Sequence, residues 1–109
     1  MNQGIYAIRN KLDGKQYIGQ STDMEGRRRH HFQKSANPRL YHAMKTFGKD
    51  NFEFIILELI EDRFQLVVRE QYYYDLYAGN MYNRKEKAKV SWVNKVYPVQ
   101  SFAPFRDLP

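Results

Sequence analysis

The sequence predicts an α+β fold, a small antiparallel sheet with helices packed on it. Three observations predict it. Two short Ile- and Tyr-rich runs flank the turn signal Asp13-Gly14, a β-rich run recurs at NFEFIILELI, and helix-start signals stand between and after these runs. The resulting order is hairpin, helix, helix, strand, helix, with no internal repeat.

Residues 4–10 and 15–19 read as the hairpin strands. A four-residue loop, Lys11–Gly14, with Gly14 in the left-handed conformation, sets Asn10 opposite Lys15, Ile8 opposite Tyr17 and Tyr6 opposite Gly19. Tyr6, Ile8 and Tyr17 then share one sheet face, the tyrosines being diagonal neighbours roughly 7–8 Å apart. A slip of one residue would separate them. Thr22-x-x-Glu25 is a capping-box pattern, so a helix is expected from there to about Lys34, weakened slightly by Gly26. Asn37-Pro38 starts a second helix that ends near Gly48. Residues 51–60 alternate Phe52, Phe54 and Ile56 against Glu53, Ile55 and Leu57 as a strand does. Asp62 caps a third helix through about Tyr77, stopped by Gly79-Asn80. After Asn83 the chain turns basic and proline-spaced, so residues 85–109 read as an extended tail and 1–84 as one domain.

With 109 residues the domain can bury a core without staples, and the absence of cysteine excludes disulfides and thiolate zinc sites. The start MNQGIYAIRN lacks a signal-peptide pattern and no apolar run approaches a membrane span, so a soluble, intracellular protein without a membrane partner is expected. Net charge is +6, and it is unevenly placed: ten Lys/Arg against three Asp/Glu in residues 1–49, but two against seven in 50–83. That asymmetry favours an anionic partner, nucleic acid first. It says nothing of cleavage.

Arg27 and His31 lie four apart and share a helix face, among Arg28, Arg29 and His30. Two readings fit: a solvated basic helix that contacts phosphate, or Arg27 stabilising phosphate charge with His31 moving a proton. His42 reads as a surface or packing residue. Glu70 is the most unusual carboxylate, because its helical neighbours include Leu66, Val67, Tyr73, Tyr74 and Tyr77. It is either a core-side carboxylate paired with a tyrosine hydroxyl or with Arg63, or a metal ligand. A single carboxylate suits Mg²⁺, which keeps waters and takes phosphate oxygens; zinc fits badly. No GxSxG or P-loop pattern is present, and no spacing singles out a carboxylate pair for glycoside chemistry.

Gly4-Ile5-Tyr6 followed by Tyr17-Ile18-Gly19 resembles the name-giving motif of the GIY-YIG nucleases. Arg27, His31, the stretch NPRLYHAMKTFGKDNFEFIILE, Glu70 and Asn83 follow in family order, so the resemblance spans roughly residues 3–84. It implies a three-stranded antiparallel sheet flanked by helices and hydrolysis of DNA phosphodiesters with Mg²⁺ or Mn²⁺. By resemblance Glu70 holds the metal, Arg27 stabilises the pentacoordinate phosphate, Tyr6 and His31 share general-base duty, and Tyr17 orients water or phosphate. Asn83 braces the site, and Gly4 and Gly19 let backbone approach the substrate. A free tyrosine titrates near 10, so Tyr6 would need a metal or a neighbouring cation to lower that value. Arg28, Arg29, Lys34, Arg39 and Lys45 are the expected DNA-contacting surface. The partner the resemblance implies is double-stranded DNA, expected to be bound by a monomer or a transient dimer. Within the family the chain looks most like the phage and intron-encoded branch, whose homing endonucleases continue into a linker and DNA-binding modules. The expectation is therefore an excised catalytic domain or a stand-alone phage-type enzyme. A non-cleaving nucleic-acid-binding module and a protein-interaction domain using the tyrosine-rich third helix are the other two function classes.

Overall fold

Four residues, Lys11–Gly14, return the chain from strand β1 (Gly4–Asn10) to β2 (Gln16–Ser21), with Gly14 at a φ of 78°. Asn10 N–H donates to Lys15 O, and the antiparallel register sets Ile8 against Tyr17 and Tyr6 against Gly19. This is the register the loop length predicts. The computed structural model describes residues 2–83 and Ala88; the tail reading of residues 85–109 otherwise lies outside them.

Helix α1 (Met24–Lys34) begins one residue later than the Thr22–Glu25 capping box implies. Asp23 is the N-cap: its Oδ1 accepts from Gly26 N–H at 3.1 Å, while Ser21 Oγ accepts from Asp23 N–H. A carboxylate placed at the helix start outcompetes the threonine hydroxyl because it meets both the orphan donors and the positive end of the dipole. Helix α2 (Pro38–Phe47) is capped by Asn37, whose Oδ1 accepts from Leu40 N–H, and it stops at Gly48. A 3₁₀ turn (Lys49–Asn51) leads into β3 (Phe52–Leu59). Asp62 does cap the next element, but the expected single helix is two: a 3₁₀ turn (Arg63–Gln65), then α3 (Leu66–Leu76).

The sheet order is β2-β1-β3, all antiparallel. A register shift at Ile5/Tyr6 leaves Leu57 as the extra residue of β3, so the predicted alternation holds from Phe52 to Ile56 and breaks at Leu57; Ile56, opposite Tyr6, keeps its face but is half exposed. One face of the sheet carries Tyr6, Ile8, Phe52 and Phe54 against Met24, Leu40, Ala43 and Met44 of α1 and α2. The other carries Ile5, Ala7 and Ile18 against Leu66 and Tyr74 of α3. Arg69 and Tyr73 of α3 both hold Glu58 of β3, with Arg69 Nε at 2.9 Å and the Tyr73 hydroxyl at 3.1 Å. Residues 80–83 run beside β2 and cover its outer edge, Tyr82 N–H donating to Gln16 O. Among the described residues the architecture is the three-stranded antiparallel sheet with three α-helices that the sequence predicts.

Candidate active site

Tyr6 sits on the central strand and is 1% exposed. Its ring stacks on Phe54 at 5.0 Å and lies 6.3 Å from the Tyr17 ring. Directly opposite, Gly19 leaves the space in which the phenol rests: a Cβ at this position would overlap Tyr6 Cζ and hydroxyl. A Cβ at Gly4 would overlap the backbone carbonyl of Glu58. Both motif glycines thus make room for the protein's own atoms. Gly19→Ala is expected to destabilise the fold by about 1–3 kcal/mol through overpacking, read by denaturant melts. Because the displaced group is Tyr6 itself, activity should fall further, by about 10²-fold for a shift of about 1 Å.

The first helix brings His31 beneath the tyrosines. Its Nε2 is 2.9 Å from the Tyr6 hydroxyl and its Nδ1 2.7 Å from Ser35 Oγ, and its ring is 5.2 Å from that of Tyr17. Burial, with help from the charges of Arg27 and His30, pulls the imidazole down to about 4. It is neutral at physiological pH. Unfolded histidine titrates near 6.5, so the unfolded chain takes up this proton first as pH falls. Stability is therefore expected to drop from pH 6.5 to about 4, by on the order of 3 kcal/mol, relative to a His31→Gln variant melted over the same series. Parallel curves for the two proteins would refute this.

Glu70, on α3, is buried and the only buried carboxylate among the described residues. Gln20 Nε2 donates to its Oε1 at 2.6 Å and the Tyr74 hydroxyl to its Oε2 at 2.8 Å. Burial raises its proton affinity, while Gln20, Tyr74 and Arg27 pull it back down. Asn83 completes a circuit. Its Oδ1 accepts from Ile18 N–H at 2.9 Å; its Nδ2 donates to Ile18 O at 2.8 Å and to the Tyr74 hydroxyl at 3.3 Å. The carboxylate is thereby referenced twice to β2, through Gln20 and through Tyr74–Asn83–Ile18.

Arg27 ties these parts together. It is half-buried, and among the described residues it makes no ion pair. Its charge lowers the proton affinity of Tyr6, Tyr17, His31 and Glu70 alike. The two phenols are nevertheless raised, by burial first: Tyr6 well above its ordinary value, Tyr17 less so. The lowering that a base role asks of Tyr6 is not what the protein's own charges supply.

The structure thus brings together Tyr6, Tyr17, Arg27, His31 and Glu70, with Gly19 and Asn83 in support; Gly4 stands farther along the sheet, opposite Ser21 and Leu59. Arg28, Arg29, Lys34, Arg39 and Lys45 are all exposed, but Arg28 is paired with Glu25 one turn away. His42 is exposed, as expected. Tyr74 is one of the tyrosines the helical spacing offers Glu70, whereas two partners do not stand out in the sequence: Gln20 and Ser35. Ser35 follows His31 by four positions, a spacing that would have found it. Gln20 lies 50 residues from Glu70 and carries no such signal. Among the described residues no three His, Asp or Glu side chains gather as a metal cage, and no helix is long and apolar enough to cross a membrane.

A family model for the GIY-YIG catalytic domain matches residues 2–83. The fold is similar to the catalytic domain of homing endonuclease I-TevI, at 28% identity and a TM-score of 0.69, covering 77% of this chain and 99% of that one. It is equally similar to a glutamate-to-alanine mutant of the catalytic domain of intron endonuclease I-TevI, at 27% identity and a TM-score of 0.70, covering 81% and 98%. No curated protein matches the chain.

Proposed function

The chain belongs to the GIY-YIG catalytic-domain family, and from that premise we propose that it is an endonuclease hydrolysing phosphodiester bonds of double-stranded DNA with Mg²⁺ or Mn²⁺. It acts as a monomer or transient dimer, in a homing-endonuclease-like or stand-alone phage-type setting. The observation that carries this reading is Arg27: a half-buried guanidinium without a carboxylate partner among the described residues, whose charge acts on Tyr6, Tyr17, His31 and Glu70. A bare cation in such a place is poised for an anionic ligand, and a guanidinium fork matches phosphate oxygens.

The donor chemistry fits the cation. One buried carboxylate, oriented by Gln20 and Tyr74, is the arrangement a metal with retained waters and substrate oxygens needs, and its orienting bonds are of the kind that tune such ligands. Glu70 would hold the ion, which when bound polarises phosphoryl oxygens and neutralises developing charge.

The remaining chemistry belongs to side chains. Tyr6 stays a phenol at neutral pH, and in the tautomer with Nδ1–H donated to Ser35, His31 Nε2 is a free acceptor 2.9 Å away. As a water gives its proton to the Tyr6 oxygen, the phenolic proton passes to His31 and the resulting hydroxide attacks phosphorus; the P–O bond to one flanking sugar breaks, and that sugar oxygen leaves and takes a proton from solvent water. Arg27 stabilises the charge that gathers on the phosphate oxygens, and Tyr17, which is only half-buried, orients water or phosphate. The stronger base in this pair is the buried neutral imidazole, with the tyrosine relaying to it.

The test is relaxation of supercoiled plasmid with Mg²⁺ and with EDTA. Wild type is expected to nick only with the metal, and Tyr6→Phe to be slower by about 10²–10⁴-fold while losing only about 1 kcal/mol of stability. A fully active Tyr6→Phe variant would return Tyr6 to packing. A wild type that leaves plasmid supercoiled over a wide range of enzyme and salt ends the nuclease reading, and binding without cutting then favours a nucleic-acid-binding module.

A further inference from the structure

We propose that the cleft between α1 and α2 is a second phosphate site, taking a backbone phosphate of the DNA strand next to the one at the catalytic centre. This rests on the nuclease reading above. The cleft holds about 390 Å³ and is ringed by Lys34, Lys45 and Lys49, from the ends of α1 and α2 and from the 3₁₀ turn. No carboxylate lines it, and among the described residues none of the three lysines is ion-paired. Two of the ammonium groups are held in place: Lys49 Nζ donates to Gln33 O at 3.1 Å, and Lys45 Nζ lies 5.6 Å from the Tyr41 ring centre.

The bland account is that lysines favour helix C-termini. It is insufficient in amount, since two C-termini offer about half a negative charge each against three full positive charges. The surplus converges on one cavity. Its wall includes buried His31 and Ser35, the same pair whose other side meets the Tyr6 hydroxyl. Cleft and catalytic centre are therefore one imidazole apart. A DNA strand carries a phosphate for roughly every 3.4 Å of rise, so a strand engaged at Arg27 has neighbouring phosphates within reach of this cleft. The volume is near the lower end of small-ligand pockets, about 300–1,000 Å³, enough for a phosphate and its sugar.

The experiment is equilibrium binding of the full chain to a short fluorescent DNA duplex in EDTA, across a salt series. Cleavage plays no part in it. Replacing all three cleft lysines (Lys34→Gln, Lys45→Gln, Lys49→Gln) is expected to flatten the slope of log affinity against log salt by about 0.9 for each phosphate that is no longer neutralised. The corresponding triple arginine variant keeps the wild-type slope. A variant of equal charge loss elsewhere, Lys11→Gln with Lys15→Gln and Arg63→Gln, changes it less. The site is overturned if the glutamine triple keeps the wild-type slope, if the arginine triple is as flat as glutamine, or if the matched variant flattens the slope equally, which would mean only the field of the whole protein. If wild type binds no DNA at any salt, the nuclease reading and this site fall together, whereas DNA binding with an unchanged slope removes this site alone.

Discussion

Glu70→Ala is expected to lower plasmid cleavage by about 10³-fold or more. The carboxylate is the only buried one among the described residues, so no neighbour replaces it. A catalytic cation contributes several kcal/mol, and each 1.36 kcal/mol is tenfold in rate, so a lost metal site is at least a thousandfold effect. Glu70→Gln separates charge from shape. The amide keeps an oxygen for the Tyr74 hydroxyl, and Gln20 meets its NH2 by turning its own amide oxygen toward it, so the variant should melt near wild type and still be inactive. The pH dependence carries a sign. Burial raises the proton affinity of Glu70, and cation and proton compete for the same oxygens. Activity in mildly acid solution should therefore rise with pH, and its midpoint should move to lower pH as Mg²⁺ is increased. A cleavage-competent Glu70→Ala protein, or a midpoint indifferent to Mg²⁺, would remove Glu70 from the role proposed for it.

Arg27→Ala should cost about 10²–10³ in rate, the usual loss for one well-placed transition-state donor. The loss should fall mainly on kcat, because the charge it meets develops as the phosphate becomes pentacoordinate. Arg27→Lys restores a positive charge without the two-pronged geometry, and only part of the rate should return. The variants also carry a signature that simple misfolding would not. Arg27 lowers the proton affinity of His31 and of Glu70, so its removal should shift the acid limb of the pH–rate profile upward. Lysine should shift it back. A profile unmoved by Arg27→Ala would show that the guanidinium stands farther from these groups than the structure has it.

The parts of this molecule that are legible in its sequence are those governed by neighbours along the chain. The hairpin register follows from a four-residue loop ending in Gly14, and the shared face of Tyr6 and Tyr17 follows from the register. Glu70 stands out by its apolar helical neighbours, and the tyrosine partner foreseen in kind is Tyr74. Local signals mislead where two compete: Asp23 and Thr22 both offer a cap, and the carboxylate wins. Asp62 does start the last helical segment, yet a 3₁₀ turn intervenes before α3. What stays hidden depends on long-range placement. Gln20 meets Glu70 across 50 residues, and the protonation bias of Tyr6 and His31 arises from burial that no local pattern encodes. The task of Gly19 is equally invisible until Tyr6 is seen opposite it.

The Asn83 side chain closes on Ile18 from 65 positions downstream, and this orders events during synthesis. A ribosome-borne chain acquires its tyrosine pair, its basic helix and its carboxylate before the amide that secures β2 has emerged. Until then the outer edge of β2 lacks its Ile18 partner and Tyr74 lacks the Asn83 bond that helps aim it at Glu70. A nascent fragment thus has its sheet paired before the carboxylate of Glu70 is fully braced. That bracing arrives last, with the segment that also covers the outer edge of β2 against pairing with other chains.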